Sequence, residues 1–346
     1  SLFFFAPQWS EDGVRFLWDG QLLRQGQNPY QMTPAQVQEQ LGPEELGYRT
    51  QLFEELNSPH YYSVYPPLNQ VLFWGAAQFA QGQLEKGYLA LRLLLLLGEV
   101  GVFSLLCWLL ARFGLPQKQV IFYWFNPLVI LEVIGNLHFE GLVLFFLVAS
   151  LANMSRNKLG LSGMFWGLAI GMKLLPMLFA PSFLFWKQSR KSLGFWGMAI
   201  GIGLLCFLPL ALGGAWQNFF QSLQLYQGKF EFNASVYYLL REVGNWLVGY
   251  NTIGILTKLG TAITVAGVIW MSWKRSQATF EGIIGLWVQL YLLYFILQPV
   301  VHPWYLLPGL GLSVLTRKWT FLLWSIGTIF YYQAYSQNPV QEQALF

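Results

Sequence analysis

Charge is scarce in this chain. Of its 346 residues only 10% are Asp, Glu, Lys or Arg, where a soluble domain carries roughly 25%. So few charges cannot clothe a water-facing surface, which excludes an ordinary soluble globular domain. Cysteine is almost absent. Cys107 and Cys206 both sit inside apolar runs, as small core residues do, and two such residues make neither a disulfide framework nor a cysteine-ligated metal site. The basic residues fall in short pairs with no run or stripe, which excludes a nucleic-acid interface. The start lacks an initiator Met, a basic n-region and an A-x-A cleavage pattern, so it is no signal peptide. Ser1-Leu2-Phe3-Phe4-Phe5-Ala6 reads instead as the tail of a hydrophobic helix, and a further transmembrane helix is expected before residue 1.

What fills the chain is hydrocarbon and aromatic surface: 55% hydrophobic residues, with 29 Phe, 16 Trp and 17 Tyr. Trp and Tyr favour the boundary between membrane and water. The reading is an all-α polytopic membrane protein forming one domain over 1–346, a bundle of about ten or eleven membrane helices. Residues 9–66 form an opening polar loop. Within it Thr33-Pro34 is a helix start with Pro at the first helical position, and Glu44 to Leu56 a second surface helix. Leu68 to Gln81 is apolar but spans only about 21 Å as a helix, short of a bilayer core of about 30 Å, and reads as re-entrant or interfacial. Spanning candidates follow at Tyr88–Ala111, Gln119–Ile134, Gly141–Asn153, Gly194–Leu212, Gly249–Trp273, Gly282–Leu297, Tyr305–Leu315 and Thr320–Tyr335.

Leu159–Trp186 holds Lys173, Pro176 and Pro181 amid apolar sequence, so it is either one span or two short helices meeting at Lys173. The basic loops decide. Arg112/Lys118, Arg156/Lys158, Lys187/Arg190/Lys191, Lys274/Arg275 and Arg317/Lys318 hold eleven of the 20 Lys and Arg residues and no acid. The positive-inside rule puts them all on the cytoplasmic side. Having both Arg156 and Lys187 there requires an even number of crossings between them, so this run goes up and returns, breaking at Lys173. Everything unusual then lies on the opposite face: the opening loop, Gly135–Gly141, Lys173, a second polar segment over 213–245, and the stretch from Gln298 to Tyr305. All three histidines are there.

Ser10-Glu11-Asp12-Gly13-Val14-Arg15-Phe16-Leu17-Trp18-Asp19-Gly20 concentrates three carboxylates and an arginine. A solvated loop with a salt bridge also carries such charges. Here, however, Asp12 and Asp19 lie seven apart on one helix face with Arg15 between them, at a membrane surface where a base and an anion-binding cation are both useful. Asn136, His138 and Glu140 stand between two hydrophobic runs, at a depth where ionisable groups tend to be functional. Lys173, costly to bury, is a clamp for phosphate or carboxylate unless it snorkels to the nearer interface. His302-Pro303-Trp304-Tyr305 begins a helix and groups an imidazole, an indole and a phenol, able to hold a sugar or simply to belong to the aromatic belt. Lys229 to Arg241 is amphipathic, with Phe230, Phe232, Tyr237 and Tyr238 suited to lipid.

Taken together these residues resemble the GT-C glycosyltransferases. Glu11-Asp12-x-x-Arg15-Phe16-x-Trp18-Asp19-Gly20 with Gly26-Gln27-Asn28-Pro29-Tyr30 is similar to their first extracytoplasmic loop, in particular that of bacterial polyprenol-phosphate mannosyltransferases and, more distantly, the catalytic subunit of GPI mannosyltransferase I. Tyr65-Pro66-Pro67-Leu68 resembles that family's tyrosine-proline approach to the next helix, Gly135–Gly141 its asparagine-histidine-acid turn, Lys173-x-x-Pro176 its lysine-proline break, and His302-Pro303-Trp304-Tyr305 its late motif. The resemblance implies hexose transfer, mannose foremost, from a polyprenyl-phosphate sugar to a lipid or glycan acceptor, with inversion, at the extracytoplasmic face of a bacterial inner or plasma membrane. It implies that an acid of the first loop is the catalytic base: Asp12, with Glu11 next and Asp19 beside them. Arg15, Lys173, His302 and Arg241 are the candidate donor-phosphate ligands. His138, Glu140, Asn136, Trp304, Tyr305 and Tyr65 are the candidate sugar or acceptor ligands. Glu11 and Glu140 stand where relatives often carry aspartate, one methylene shorter. No cofactor is firmly implied, although Asp12 with Asp19 leaves room for a divalent cation. The rival reading is a transporter or flippase of a lipid-linked or sugar substrate, since broken helices with a buried cation suit transporters too. A membrane scaffold ranks below both, having no use for clustered carboxylates.

Overall fold

A computed structural model describes residues 6–7, 9–41, 47–316, 318–328, 330 and 332. The opening Ser1–Phe5 run, the expected helix start at Glu44, Arg317 and the end of the last span at Tyr335 lie outside the described residues. The described chain is helical throughout, its one β feature an isolated bridge between Phe232 and Val300.

Three helices build the opening loop: α1 (Asp12–Arg24), α2 (Pro34–Leu41) and α3 (Tyr48–Glu54). Thr33 caps α2 reciprocally with Gln36: the Gln36 N–H donates to Thr33 Oγ1 and the Thr33 N–H to Gln36 Oε1. The short α4 (Pro67–Ala80) follows and packs along α1. The approach is close enough that a Cβ at Gly20 would run into the Phe73 carbonyl. A tight turn, with Gln81 left-handed, leads into α5 (Leu84–Arg112).

The next run, expected as a span over Gln119–Ile134, is broken. It comprises a 3-10 turn (Gln117–Val120), α6 (Ile121–Trp124), α7 (Pro127–Val129) capped by the Asn126 side chain, and a π-helical turn (Ile130–Gly135). Pro127 and Asn126 cut it. The chain then bends by 112° into α8 (Glu140–Ser155). After α9 (Leu159–Met172), Lys173 is extended at φ −155°, ψ 140°. A 3-10 turn (Leu175–Phe179) and α10 (Ala180–Phe185) lead back. The run therefore breaks at Lys173 and returns, as the charge placement requires. α11 (Leu193–Leu212) lies against α9, where a Cβ on Gly163 would meet the Phe195 carbonyl; small residues let two membrane helices touch backbone to backbone. Then come α12 (Trp216–Lys229), α13 (Ser235–Val248), α14 (Ile253–Lys274), α15 (Phe280–Leu297), a 3-10 turn (Pro303–Leu306), α16 (Leu307–Val314) and α17 (Thr320–Gly327).

Among the described residues four helices are long and apolar enough to cross a membrane alone: α5, α11, α14 and α15, or five spans if the bent pair at 127–155 counts as one. The other runs among the expected ten or eleven membrane helices are shorter or broken apolar segments. Among the described residues the runs at 117–135 and 159–186 are cut by Pro and by polar turns into pieces shorter than a bilayer core. Half of the apolar window of α15 is buried, but only 17% in α11 and α14, so α15 is central and the other two face outward.

The polar segments gather at one end. Asn218 donates to the Tyr30 carbonyl, and Asn69 to the Met172 carbonyl at 2.6 Å beside the Lys173 break. The basic loops gather at the other. Arg112 reaches the Ser155 carbonyl, the Arg156 guanidinium lies over Trp108, the Lys187 N–H donates to Ser276, and Phe113 packs on Phe280.

Candidate active site

The site lies at the polar end, where four breaks in the helices converge. The first is the start of α1. Asp12 is its first residue, and its side chain is 31% exposed toward the hollow. Tyr65 hydrogen-bonds this carboxyl. Tyr65 is fixed in turn by Tyr30, whose hydroxyl donates to the Tyr65 carbonyl. Surrounding protein withholds bulk water, so burial pushes the Asp12 carboxyl above the ordinary carboxylate range. His138, the Tyr65 hydrogen bond and Lys173 pull it back, while Glu140 adds to the rise.

The second break is the turn after the π-helical segment. Leu137 is fully buried and left-handed at φ 68°, a conformation costing a branched residue on the order of 1–3 kcal/mol. The strained turn aims His138 between two carboxylates. Its Nδ1 is 3.8 Å from Asp12 Oδ2 and its Nε2 is 3.2 Å from Glu132 Oε2. Glu132 also accepts from Asn136 at 3.0 Å and from the Tyr332 hydroxyl. π-Helical turns recur at functional positions because the wider turn re-aims side chains.

The third break is Lys173. It does not snorkel away: its ammonium pairs with Glu140 and lies 3.9 Å from the centre of the Tyr305 ring. The fourth is the 298–306 segment. Trp304 stacks on His138 at 3.7 Å and His302 on Trp304 at 4.3 Å, with Phe232 on the far side of His302 at 4.7 Å. Four rings in a column thus join the asparagine-histidine turn, the late motif and the second polar segment. The bridge between Phe232 and Val300 fixes the last of these. Burial, then His138 and Lys173, hold the His302 imidazole down to about 3. His302 is therefore neutral and offers a hydrogen bond, not a charge.

The remaining sequence-selected residues divide. Arg15 donates through Nε to Asp19 at 2.8 Å and through Nη1 to the Tyr61 carbonyl, while its buried Nη2 has no partner among the described residues. Arg15 and Asp12 share a cavity of about 40 Å³ with Asn57, Tyr61, Tyr62 and Tyr65. Asp19 does not face the hollow. It is fully buried, and Arg15, Ser63 at 2.5 Å and Gln70 at 2.8 Å occupy its oxygens. The Asp12–Asp19 pair left open for a cation does not form. Among the described residues no three His, Cys, Asp or Glu side chains gather as a metal site. Glu11 precedes α1 and is exposed. Arg241 lies over Tyr238 and is engaged by Glu231 and Glu242. Glu231 further accepts from Tyr237 and Asn251, both at 2.6 Å. Arg241 thus braces the second polar segment.

Sequence reasoning missed Glu132. The signal was present, since it is the one acid within the apolar run Gln119–Ile134, and intramembrane carboxylates are seldom idle.

Comparison with known proteins bears on this geometry. Alpha-(1->6)-mannopyranosyltransferase B of Corynebacterium glutamicum is 31% identical over 160 residues, which is 46% of this chain and 24% of that relative. The match thus spans about a quarter of the relative's length. The family model for the alpha-(1->6)-mannopyranosyltransferase N-terminal domain matches residues 2–188, a stretch carrying Asp12, Tyr65, His138, Glu140 and Lys173. With more than half of its length inside that match, the chain belongs to the alpha-(1->6)-mannopyranosyltransferase family.

Proposed function

We propose that this protein transfers mannose from a polyprenyl-phosphate donor to a hydroxyl of a lipid or glycan acceptor, at the extracytoplasmic face of a bacterial inner or plasma membrane, with inversion at the anomeric carbon. The observation that carries the reading is the convergence of Asp12, His138, the Lys173–Glu140 pair, Trp304 and Tyr305 in one hollow, at the end of the bundle away from the basic loops. The four helix breaks around it leave non-helical backbone facing a polar space, as a membrane protein requires.

Asp12 takes the proton from the acceptor hydroxyl as that oxygen attacks the anomeric carbon. The bond from that carbon to the phosphate oxygen breaks, and polyprenyl phosphate departs carrying the electron pair. Positive charge from Lys173, oriented by Glu140, and the free Nη2 of Arg15 meet the charge growing on the leaving phosphate. Neutral His302 donates a hydrogen bond. The faces of Trp304 and Tyr305 suit the C–H surface of a hexose, and Glu140 its hydroxyls. His138, between Asp12 and Glu132, fixes the base and can receive its proton.

The test is mannosyl transfer by the purified protein from a polyprenyl-phosphate mannose into lipid-extractable or glycan material. Asp12→Asn is isosteric and should lower transfer by about 10²–10⁴-fold with unchanged expression. An active Asp12→Asn protein removes Asp12 from the role. Movement of the donor across vesicles without transfer would favour a transporter.

A further inference from the structure

A second cavity lies at the other end of the molecule. It has a volume of about 250 Å³ and is lined by Phe113 and Leu115 after α5, Arg275 after α14, Gly285 near the start of α15, and Leu315 and Lys318 after α16. α15 connects it to the hollow: it runs from Phe280 beside this cavity to Leu297, five residues before the histidine of the late motif. Its 18 residues place the two sites about 27 Å apart.

The wall has two chemistries. Arg275 and Lys318 face the same space, and among the described residues neither makes an ion pair with an acid within 4 Å. Lys318 donates to the Gly285 carbonyl, at 3.3 Å. Burial, and then the charge of Arg275, hold its ammonium below the usual lysine value, so the two cations disfavour each other in the absence of a shared anion. Glu281 also lines the cavity, but it is exposed in the first turn of α15, where a carboxylate complements the helix dipole. The other wall is hydrocarbon, from Phe113, Leu115 and Leu315. Exposed Trp273 and Trp319 flank the two cations in sequence, at the level where indoles mark a membrane boundary.

We propose that this cavity is a binding site for a phosphate-bearing anion, supplied by the headgroup of an anionic phospholipid of the leaflet opposite the hollow. The phosphate sits between Arg275 and Lys318, and the glycerol and upper acyl carbons lie on Phe113, Leu115 and Leu315. Basic pockets between membrane helices are suited to such headgroups, and the volume admits a headgroup but not a nucleotide-sugar. The site is independent of the sugar-transfer reading.

The protein, delipidated in a neutral detergent, is titrated with phosphatidylglycerol, with phosphatidylcholine, and with inorganic phosphate. Bound lipid is read by native mass spectrometry and protection by the thermal midpoint. Phosphatidylglycerol should bind and protect, and phosphatidylcholine should not. Arg275→Gln with Lys318→Gln should weaken phosphatidylglycerol binding tenfold or more, while Lys158→Gln, a basic residue outside the cavity, leaves it unchanged. Arg275 is exposed, so Arg275→Gln alone gives a severalfold loss in a folded protein should the pair prove unstable. Undiminished phosphatidylglycerol binding in both variants overturns the site. Protection by inorganic phosphate equal to that by phosphatidylglycerol overturns the lipid as its source.

Discussion

The pairing of Lys173 with Glu140 separates chemistry from architecture. Lys173→Gln removes the ammonium and leaves the Glu140 carboxylate, whose side chain is only 6% exposed, without its cation. Breaking a fully buried pair costs about 3–5 kcal/mol. The Lys173 side chain is 32% exposed, so water already screens part of the attraction, and about half that cost is expected. Adding Glu140→Gln removes the orphaned charge and should restore most of the stability. Transfer behaves differently. If the ammonium meets charge growing on the departing phosphate, its loss costs about 10²–10³-fold in turnover, and the double variant stays inactive although it is stable again. Lys173→Arg keeps a charge and should retain a measurable fraction. The assay pairs mannosyl transfer with thermal midpoints read from the fluorescence of the 16 tryptophans. A double variant with near wild-type transfer would show Lys173 to be a brace alone, and the donor-phosphate assignment would fall.

Three further outcomes follow from the same geometry. Asp12 must be ionised to accept a proton, and its carboxyl is held above the ordinary carboxylate range; transfer should therefore fall on acidification at a pH above that of a free aspartate, and a pH–rate profile flat down to the ordinary carboxylate value refutes the assignment. Asp19→Ala strands the buried Arg15 guanidinium and should cost about 3–5 kcal/mol, seen as lost folded yield, in contrast to the well-folded Asp12→Asn. Glu132→Gln keeps the shape but weakens the hold on His138. Turnover should drop about 10-fold or more with KM little changed, by analogy with the hydrogen-bond partners that orient metal-bound imidazoles; an unchanged acid limb together with an unchanged rate would reduce Glu132 to a packing role.

Much of this was legible in the chain itself. Scarce charge and long hydrocarbon runs determine a membrane-embedded helical protein, because so few ionic groups cannot cover a water-facing surface. The parity of acid-free basic loops determined the return at Lys173, because each crossing exchanges one side of the membrane for the other. Thr33-Pro34-Ala35-Gln36 wrote its own capping box. Local order of the motifs named Asp12, His138, Lys173 and Trp304 before any packing was known.

Packing alone decided which carboxylate faces the hollow. Asp12 and Asp19 lie seven residues apart and are equivalent by periodicity, but α1 meets α4 at Gly20, so Gln70 and Ser63 cover Asp19 while the first turn stays open. Tertiary contacts likewise turned Arg241 toward Glu231, brought Glu132 under His138, and built the ring column from segments far apart in sequence. The bend within 127–155 was also beyond the sequence, since apolar composition shows what lipid tolerates but not where a proline or a polar turn will bend the backbone. A sequence records which groups are costly to bury; only the folded chain shows which partners offset that cost and which groups remain free to react.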